Sequence, residues 1–199
     1  MSPAFTAVEL LITLTLVAIL LAFGVPSYKT FVANSRMTAQ YNQVLASLNL
    51  ARSEAVKRGS SVTICKSSDG ASCDTGGNHW EEGWIVFADT GTIGSAAGDT
   101  ILQVAGHLKG DNTLRPSMAA GSATAFDNYV TFKGSGIAYG SGGGATGQAG
   151  SLALCDTRGV QEAKAININA SGRIALATDT DAAADGIVNN ASGSNVSCP

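Results

Sequence analysis

Four cysteines, Cys65, Cys73, Cys155 and Cys198, carry the chemistry that is easiest to place. A thiol can ligate zinc, attack a substrate or be oxidised to a disulfide. No two of them form a C-x-x-C pair, so the usual zinc spacing is missing. An even count points to disulfides, and hence to a compartment outside the cytoplasm. Of the possible pairings, the spacing favours Cys65–Cys73, closing a short loop, and Cys155–Cys198, pinning the C-terminal end. In the chain-entropy treatment these loops contribute about 2.5 and about 4 kcal/mol. The two histidines, His79 and His107, stand far apart without metal-ligand companions. No catalytic triad, metal site or cofactor site is expected from them. Glycines cluster at 134–150, but no helix opens after them to hold a phosphate. The stretch "DTDAAADG" (179–186) spaces Asp179 and Asp181 like a calcium loop. Ala183 and Ala184 then fall where a ligand and a glycine belong, and no glutamate closes it.

Glu9 poses a different question. It lies within "FTAVELLITLTLVAILLAFGVPSY" (5–28), a segment otherwise suited to hydrocarbon. Phe5 to Val25 would span about 31 Å as a helix, close to a bilayer core of about 30 Å. A secretory signal would want basic residues ahead of the apolar run, and only Met1 to Ala4 precede it. A plain anchor leaves Glu9 in lipid without a partner, which is costly. A third reading supplies the partner. If the chain is cut between Ala4 and Phe5, Phe5 gains a charged α-amino group about one helical turn from Glu9. Glu9 of one subunit could then neutralise the amine of the next, each offsetting the other's desolvation.

The elements that would position these groups follow from periodicity. After Gly24 and Pro26, which weaken the helix locally, Met37, Tyr41, Val44, Leu48, Ala51 and Ala55 recur at helical steps. One helix of roughly fifty residues thus serves an apolar medium in its first half and packs on a domain in its second. Lys57, Arg58 and Gly59 give its stop. Beyond it, short β segments alternate with glycine-rich turns: 61–66, 83–89, 100–107, 128–133, 151–156, 163–169 and 173–178. Residues 134–150 read as a loop or hairpin, and the polar tail from Thr178 as frayed unless Cys198 ties it down. The fold class is therefore α+β, a long N-terminal helix packed on an antiparallel β head. Charged residues make up only 14% and glycine numbers 24, which suits a loop-rich surface protein. The net charge of −3 gives no general pull towards nucleic acid.

The N-terminal stretch resembles that of type IV pilins and pseudopilins, with Phe5, Thr6, Glu9 and Pro26 at matching places. The resemblance implies a leader (1–4), a transmembrane helix half (5–25), an amphipathic half (26–58) and a globular head (59–199) of two small sheets. It also implies cleavage by a prepilin peptidase at Ala4/Phe5, methylation of Phe5, and passage from the inner membrane into a filament with other major and minor pilins. That filament would be an extracellular pilus or a periplasmic pseudopilus. Ala4 departs from the glycine usual before the cut. "ARSEAVKRG" (51–59), "VTICKS" (62–67) and "GWIVFAD" (83–89) are similar to the FimT/FimU minor pilins and their GspH-type relatives. "LCDTRGVQEAKAININASGRI" (154–174) resembles the FimT/FimU side. Members of that group prime pilus assembly and sit at or near the tip; the GspH relatives serve type II secretion. Some FimT-like pilins bind DNA through a Gly-Arg-x-Arg motif. Here Gly172 and Arg173 match, Ala175 replaces the second arginine, and Arg158 and Lys164 could join Arg173 in a patch diluted by Asp156 and Glu162. Trp84, Val86 and Phe87 read as core, and Arg52 as a contact from helix to head.

Overall fold

The computed structural model describes residues 6–117, 126–141 and 146–199. Helix α1 (Ala7–Arg58) runs for 52 residues with Pro26 inside it. The chain divides into two compact units, one ending at Arg36 and the other Met37–Pro199. In the first, large apolar side chains such as Leu11, Leu14, Leu20 and Phe23 are all exposed. None of the apolar window that could cross a membrane is buried within the chain. In the second, the helix buries Met37, Gln40, Tyr41, Val44, Ser47, Leu48, Ala51 and Ala55. Those three- and four-residue steps form a single stripe, as an amphipathic helix requires. Lys57 and Arg58 close the last turn, and Gly59 follows at φ 64, the left-handed conformation that a helix stop favours.

Among the described residues nine strands follow. β1 (Val62–Lys66), β2 (Trp84–Ala88), β3 (Thr100–Ala105), β5 (Tyr129–Phe132) and β6 (Ala138–Gly140) form one sheet in the order β3-β2-β1-β5-β6. β4 (Thr113–Ser117), β7 (Gly150–Cys155), β8 (Lys164–Ile168) and β9 (Ile174–Leu176) form the other, ordered β4-β7-β8-β9. All pairings are antiparallel. The helix stripe, Ile64, Trp84, Val86, Phe132, Leu114, Leu152 and Ile166 share one apolar core to which both sheets contribute. Alternation sends the other side chains elsewhere. Cys65, Ile85 and Phe87 form a second cluster with Ala96, so Phe87 lies in the core but on a different face from Trp84. Two buried indoles tie elements together. Trp84 Nε1 donates to Ser47 Oγ at 2.9 Å, and Trp80 Nε1 to the Phe126 carbonyl at 3.0 Å.

Two strands lie outside the segments expected from sequence. β4 carries Arg115 and Pro116, and β6 interrupts the glycine-rich stretch that read as loop or hairpin. Residues 142–145 of that stretch lie outside the described residues. The tail beyond Thr178 is folded back rather than frayed. Cys155 and Cys198 are bonded, Asn189 and Asn195 form a β-bridge, and Val196 is buried. Cys65 and Cys73 are bonded as well, closing the loop after β1.

Candidate functional site

Ala4 and Phe5, the residues of the expected cut, lie outside the described residues. The first feature next to them is local. Thr6 N–H and Thr6 Oγ1 approach Glu9 Oε2 at 3.5 and 3.4 Å, and Glu9 N–H donates to Thr6 Oγ1 at 3.3 Å. This is a reciprocal capping box, in which a Thr and a Glu three residues on satisfy each other's free amides. The sequence carries the T-x-x-E signal for this cap at Thr6 and Glu9. Glu9 is exposed within the single chain, as are its apolar neighbours. Its carboxylate therefore remains available to a group outside the chain. Pro26 sits within the continuous helix; its carbonyl accepts from Thr30 Oγ1 at 3.2 Å.

The head holds several polar constructions. Lys66 is 1% exposed, and its Nζ donates to the Gly76 carbonyl at 2.6 Å and to that of Gly77. Burial lowers its pKa, against the attraction of Asp74, Asp127 and Glu82. Lys66 thus holds the segment that follows the loop closed by the Cys65–Cys73 bond. Asp69 caps the tip of that loop, accepting from the Ala71 and Ser72 amides and both the Ser67 and Ser72 hydroxyls. His79 Nδ1 lies 3.2 Å from Glu81, which also pairs with Arg115 at 2.7 Å. His107 Nδ1 lies 2.6 Å from its neighbour's carbonyl, at Leu108. The histidines belong to separate structural contacts.

Each of the three cations that could make a patch has its own surroundings. Arg158 pairs with Asp156 at 2.6 Å and Glu162 at 3.5 Å, and its pKa is raised, chiefly by the Asp156 hydrogen bond. Lys164 opens β8 and donates to Thr38 Oγ1 at 2.8 Å. Arg173 lies in the turn beyond the other end of β8, where Asn169 N–H donates to its carbonyl. The rise from Lys164 to Asn169 is about 16 Å. Gly172, the other matched residue of the Gly-Arg pair, has a structural task. It takes φ +75, and a Cβ there would come within 1.9 Å of the Gly136 carbonyl oxygen. Arg52 reaches the same place: its Nε would lie 3.4 Å from a Cβ at Gly172. The helix thus meets the head at the β5–β6 and β8–β9 turns.

The tail loop departs from the sequence reading. Ala183 and Ala184 contribute no ligand, but Asp185 joins Asp179 and Asp181, with one oxygen of each within 4.8 Å of the others. These carboxylates also organise the loop. They accept from the amides of Ala183, Ala184, Gly186 and Ile187 and from the side chains of Asn189 and Asn195.

A long apolar helix leading into a head of two small antiparallel sheets invites comparison with known families. A family described as Type II transport protein GspH matches residues 40–172. The chain belongs to the GspH family. Among solved structures, a crystal structure of the type IV minor pilin FimU of Pseudomonas aeruginosa is similar at 18% identity and a TM-score of 0.52. The likeness covers 73% of this chain and 91% of that chain. A second crystal form of FimU gives 20% identity and a TM-score of 0.46, over 70% of this chain and 90% of that one. No curated protein matches in sequence. The FimU likeness shows the pilin fold, and the family match makes this a GspH-family protein that carries it. The GspH match begins at Gln40, in the helix stripe that docks on the head, and ends at Gly172, the glycine packed on Gly136. The GspH signature thus coincides with the packed head and its docking helix.

Proposed function

We propose that this GspH-family protein is a minor pilin that primes assembly of a type IV pilus and sits at or near its tip. It is an assembly subunit rather than an enzyme. The observation that carries the reading is an apolar helical segment, wholly unburied within its own chain, that continues into a GspH-family head. Such a surface needs lipid or other subunits around it. In this reading the segment first anchors the chain in the inner membrane. Prepilin peptidase cuts between Ala4 and Phe5, and the helix then passes into the filament among other pilins. There Glu9 of one subunit meets the Phe5 amine of its neighbour, and Pro26 adjusts the helix to its packing. The carboxylate cancels a charge that would otherwise be buried alone.

The family's printed description supports a second reading, a subunit of a periplasmic secretion pseudopilus. The same helix chemistry serves both, so the fraction that holds the protein distinguishes them: sheared surface fibres or a periplasmic assembly. DNA uptake is less well supported. Arg158 is paired with acids, and Lys164 and Arg173 stand at opposite ends of a hairpin. Binding through phosphates needs several cations along one track. The reading is tested by mass spectrometry of the native protein and by its recovery from fibres. A methylated chain starting at Phe5, present in fibres and lost from them on Glu9→Ala, is the expected result. A mature chain starting beyond Gly24 would mean ordinary secretion and end the proposal.

A further inference from the structure

Just past its apolar run, α1 carries two cations that the chain itself leaves unengaged. No acidic residue occurs between Glu9 and Glu54, although the chain as a whole has a net charge of −3. Lys29 and Arg36 lie in that stretch, and both are exposed. Neither enters any of the ion pairs formed among the described residues. Seven residues apart, they stand two turns from each other on one face of the helix, about 10 Å along it. Tyr28 and Phe31 beside them are 68% and 69% exposed. Amphipathic aromatic and basic residues at the end of an apolar run mark a membrane–water interface. Helix geometry fixes the level. From Glu9 to Lys29 the rise is about 30 Å, the thickness of a hydrocarbon core. With Glu9 and its cap at one interface, Lys29 therefore stands at the other, and the unburied apolar side chains between them fill the core. The Arg36 backbone lies about 10 Å further out, beyond a headgroup layer about 5–7 Å deep. Helical side chains lean towards the N-terminus, here towards the membrane, so the long Arg36 side chain reaches back into that layer.

We propose that the segment from Tyr28 to Arg36 is a docking surface for anionic phospholipid, with Lys29 and Arg36 on the headgroup phosphates of the leaflet at the C-terminal end of the span. Charge complementarity selects the occupant. A zwitterionic headgroup sets its own ammonium beside each phosphate, whereas phosphatidylglycerol leaves that charge for the protein. Each Lys or Arg near an anionic surface strengthens attraction about fivefold. The guanidinium adds a bidentate fit to phosphate oxygens. A dissolved polyanion needs a longer track of cations than two, while lipid is already concentrated at this level by the bilayer. The lipid contact holds the subunit in the membrane pool, and it must be given up when the helix passes into a filament. The inference rests on the reading of the first half of α1 as a membrane span, and it is the same for a pilus or a pseudopilus.

The test is native mass spectrometry of the full chain in detergent micelles, titrated with phosphatidylglycerol or with phosphatidylcholine of the same acyl chains. Phosphatidylglycerol is expected to bind about tenfold or more tightly than phosphatidylcholine. Lys29→Gln and Arg36→Gln should each reduce that preference by about three- to fivefold, and the double variant should abolish it. Lys57→Gln makes the same charge change at the far end of α1, where Lys57 is paired with Glu54, and should leave the preference intact. Excess glycerol phosphate, the headgroup without its chains, should not displace the lipid. Equal binding of the two lipids, a preference that survives in the double variant, an equal loss in Lys57→Gln, or displacement by glycerol phosphate overturns the proposal. The same spectra weigh the chain. With the helix present, each of these outcomes bears on the lipid contact alone; a chain from native membranes that starts beyond Gly24 would end the membrane-span reading and the lipid contact with it.

Discussion

Replacing Ser47 by alanine removes the acceptor of the Trp84 indole N–H, at a contact where both residues are fully buried. The change leaves the side-chain volume nearly intact, so it isolates the hydrogen bond. An orphaned buried donor costs about 1–3 kcal/mol. Alanine returns about 0.5 kcal/mol through its better helix propensity. The Ser47 hydroxyl also donates to the Gln43 carbonyl within the helix at 3.1 Å, a back-bond whose loss is nearly neutral. The expected net loss is therefore about 1.5 kcal/mol, or about 3–6 °C in the midpoint of a domain this size. The assay is thermal unfolding of the full chain in detergent micelles, read by near-ultraviolet circular dichroism. Trp84→Phe and the double variant complete a cycle. Trp84→Phe alone also leaves a void, so only the coupling reports the bond, and it should be about 1 kcal/mol. A Ser47→Ala protein as stable as the parent, with coupling near zero, would refute the claim that this bond holds the helix stripe to β2.

Three further outcomes follow from the head. Replacing Cys155 and Cys198 by serine should cost about 4 kcal/mol, and replacing Cys65 and Cys73 about 2.5 kcal/mol, by the lengths of the loops they close; urea unfolding under matched conditions gives the ranking. Gly172→Ala must place a side chain at φ +75 and against the Gly136 carbonyl. It should destabilise the head by about 2–4 kcal/mol, whereas alanine at Gly193, with nothing within 4 Å, meets only the backbone penalty. Asp69 has its pKa lowered, most by the Ser72 hydroxyl and then by the Ser72 and Ala71 amides. A depressed carboxylate contributes stability above its unfolded value and loses it as pH falls through the folded one. Carboxyl NMR should therefore find Asp69 still ionised at about pH 3, where an ordinary aspartate is mostly protonated.

Much of this architecture could be read from the order of residue types, and the failures have identifiable causes. β1 and β2 lay inside the segments expected because every residue in them is buried and apolar or β-branched residues dominate. The helix stripe was legible because its period is helical from Met37 to Ala55, about five turns. β4 was not, because Pro116 reads as a strand breaker. It is tolerated there because β4 is an edge strand, where a missing N–H need not interrupt a ladder. β6 is three residues long within a run of glycines, too short to show a period. The two disulfide partners could be guessed from spacing, since one loop is short and the other ends the chain. The Asp185 contribution to the acidic loop could not, because it needed the actual path of the chain.

Glu9 is where two physical accounts compete for one residue, and a single substitution separates them. As a capping residue it satisfies amides at the start of α1, and glutamine serves that position as well as glutamate does. As a charge partner it must be ionised, because only a carboxylate neutralises an ammonium group in an apolar bundle. Glu9→Ala removes both roles and so cannot distinguish them. Glu9→Gln keeps the cap and removes the charge. The measurement is the ratio of protein in the sheared fibre fraction to protein in the membrane pool, for the parent and both variants. If pairing with a neighbour's Phe5 amine governs incorporation, Glu9→Gln should fail as Glu9→Ala does, although its helix start is intact. If Glu9→Gln assembles like the parent while Glu9→Ala does not, capping alone accounts for the acid and the electrostatic pairing is wrong.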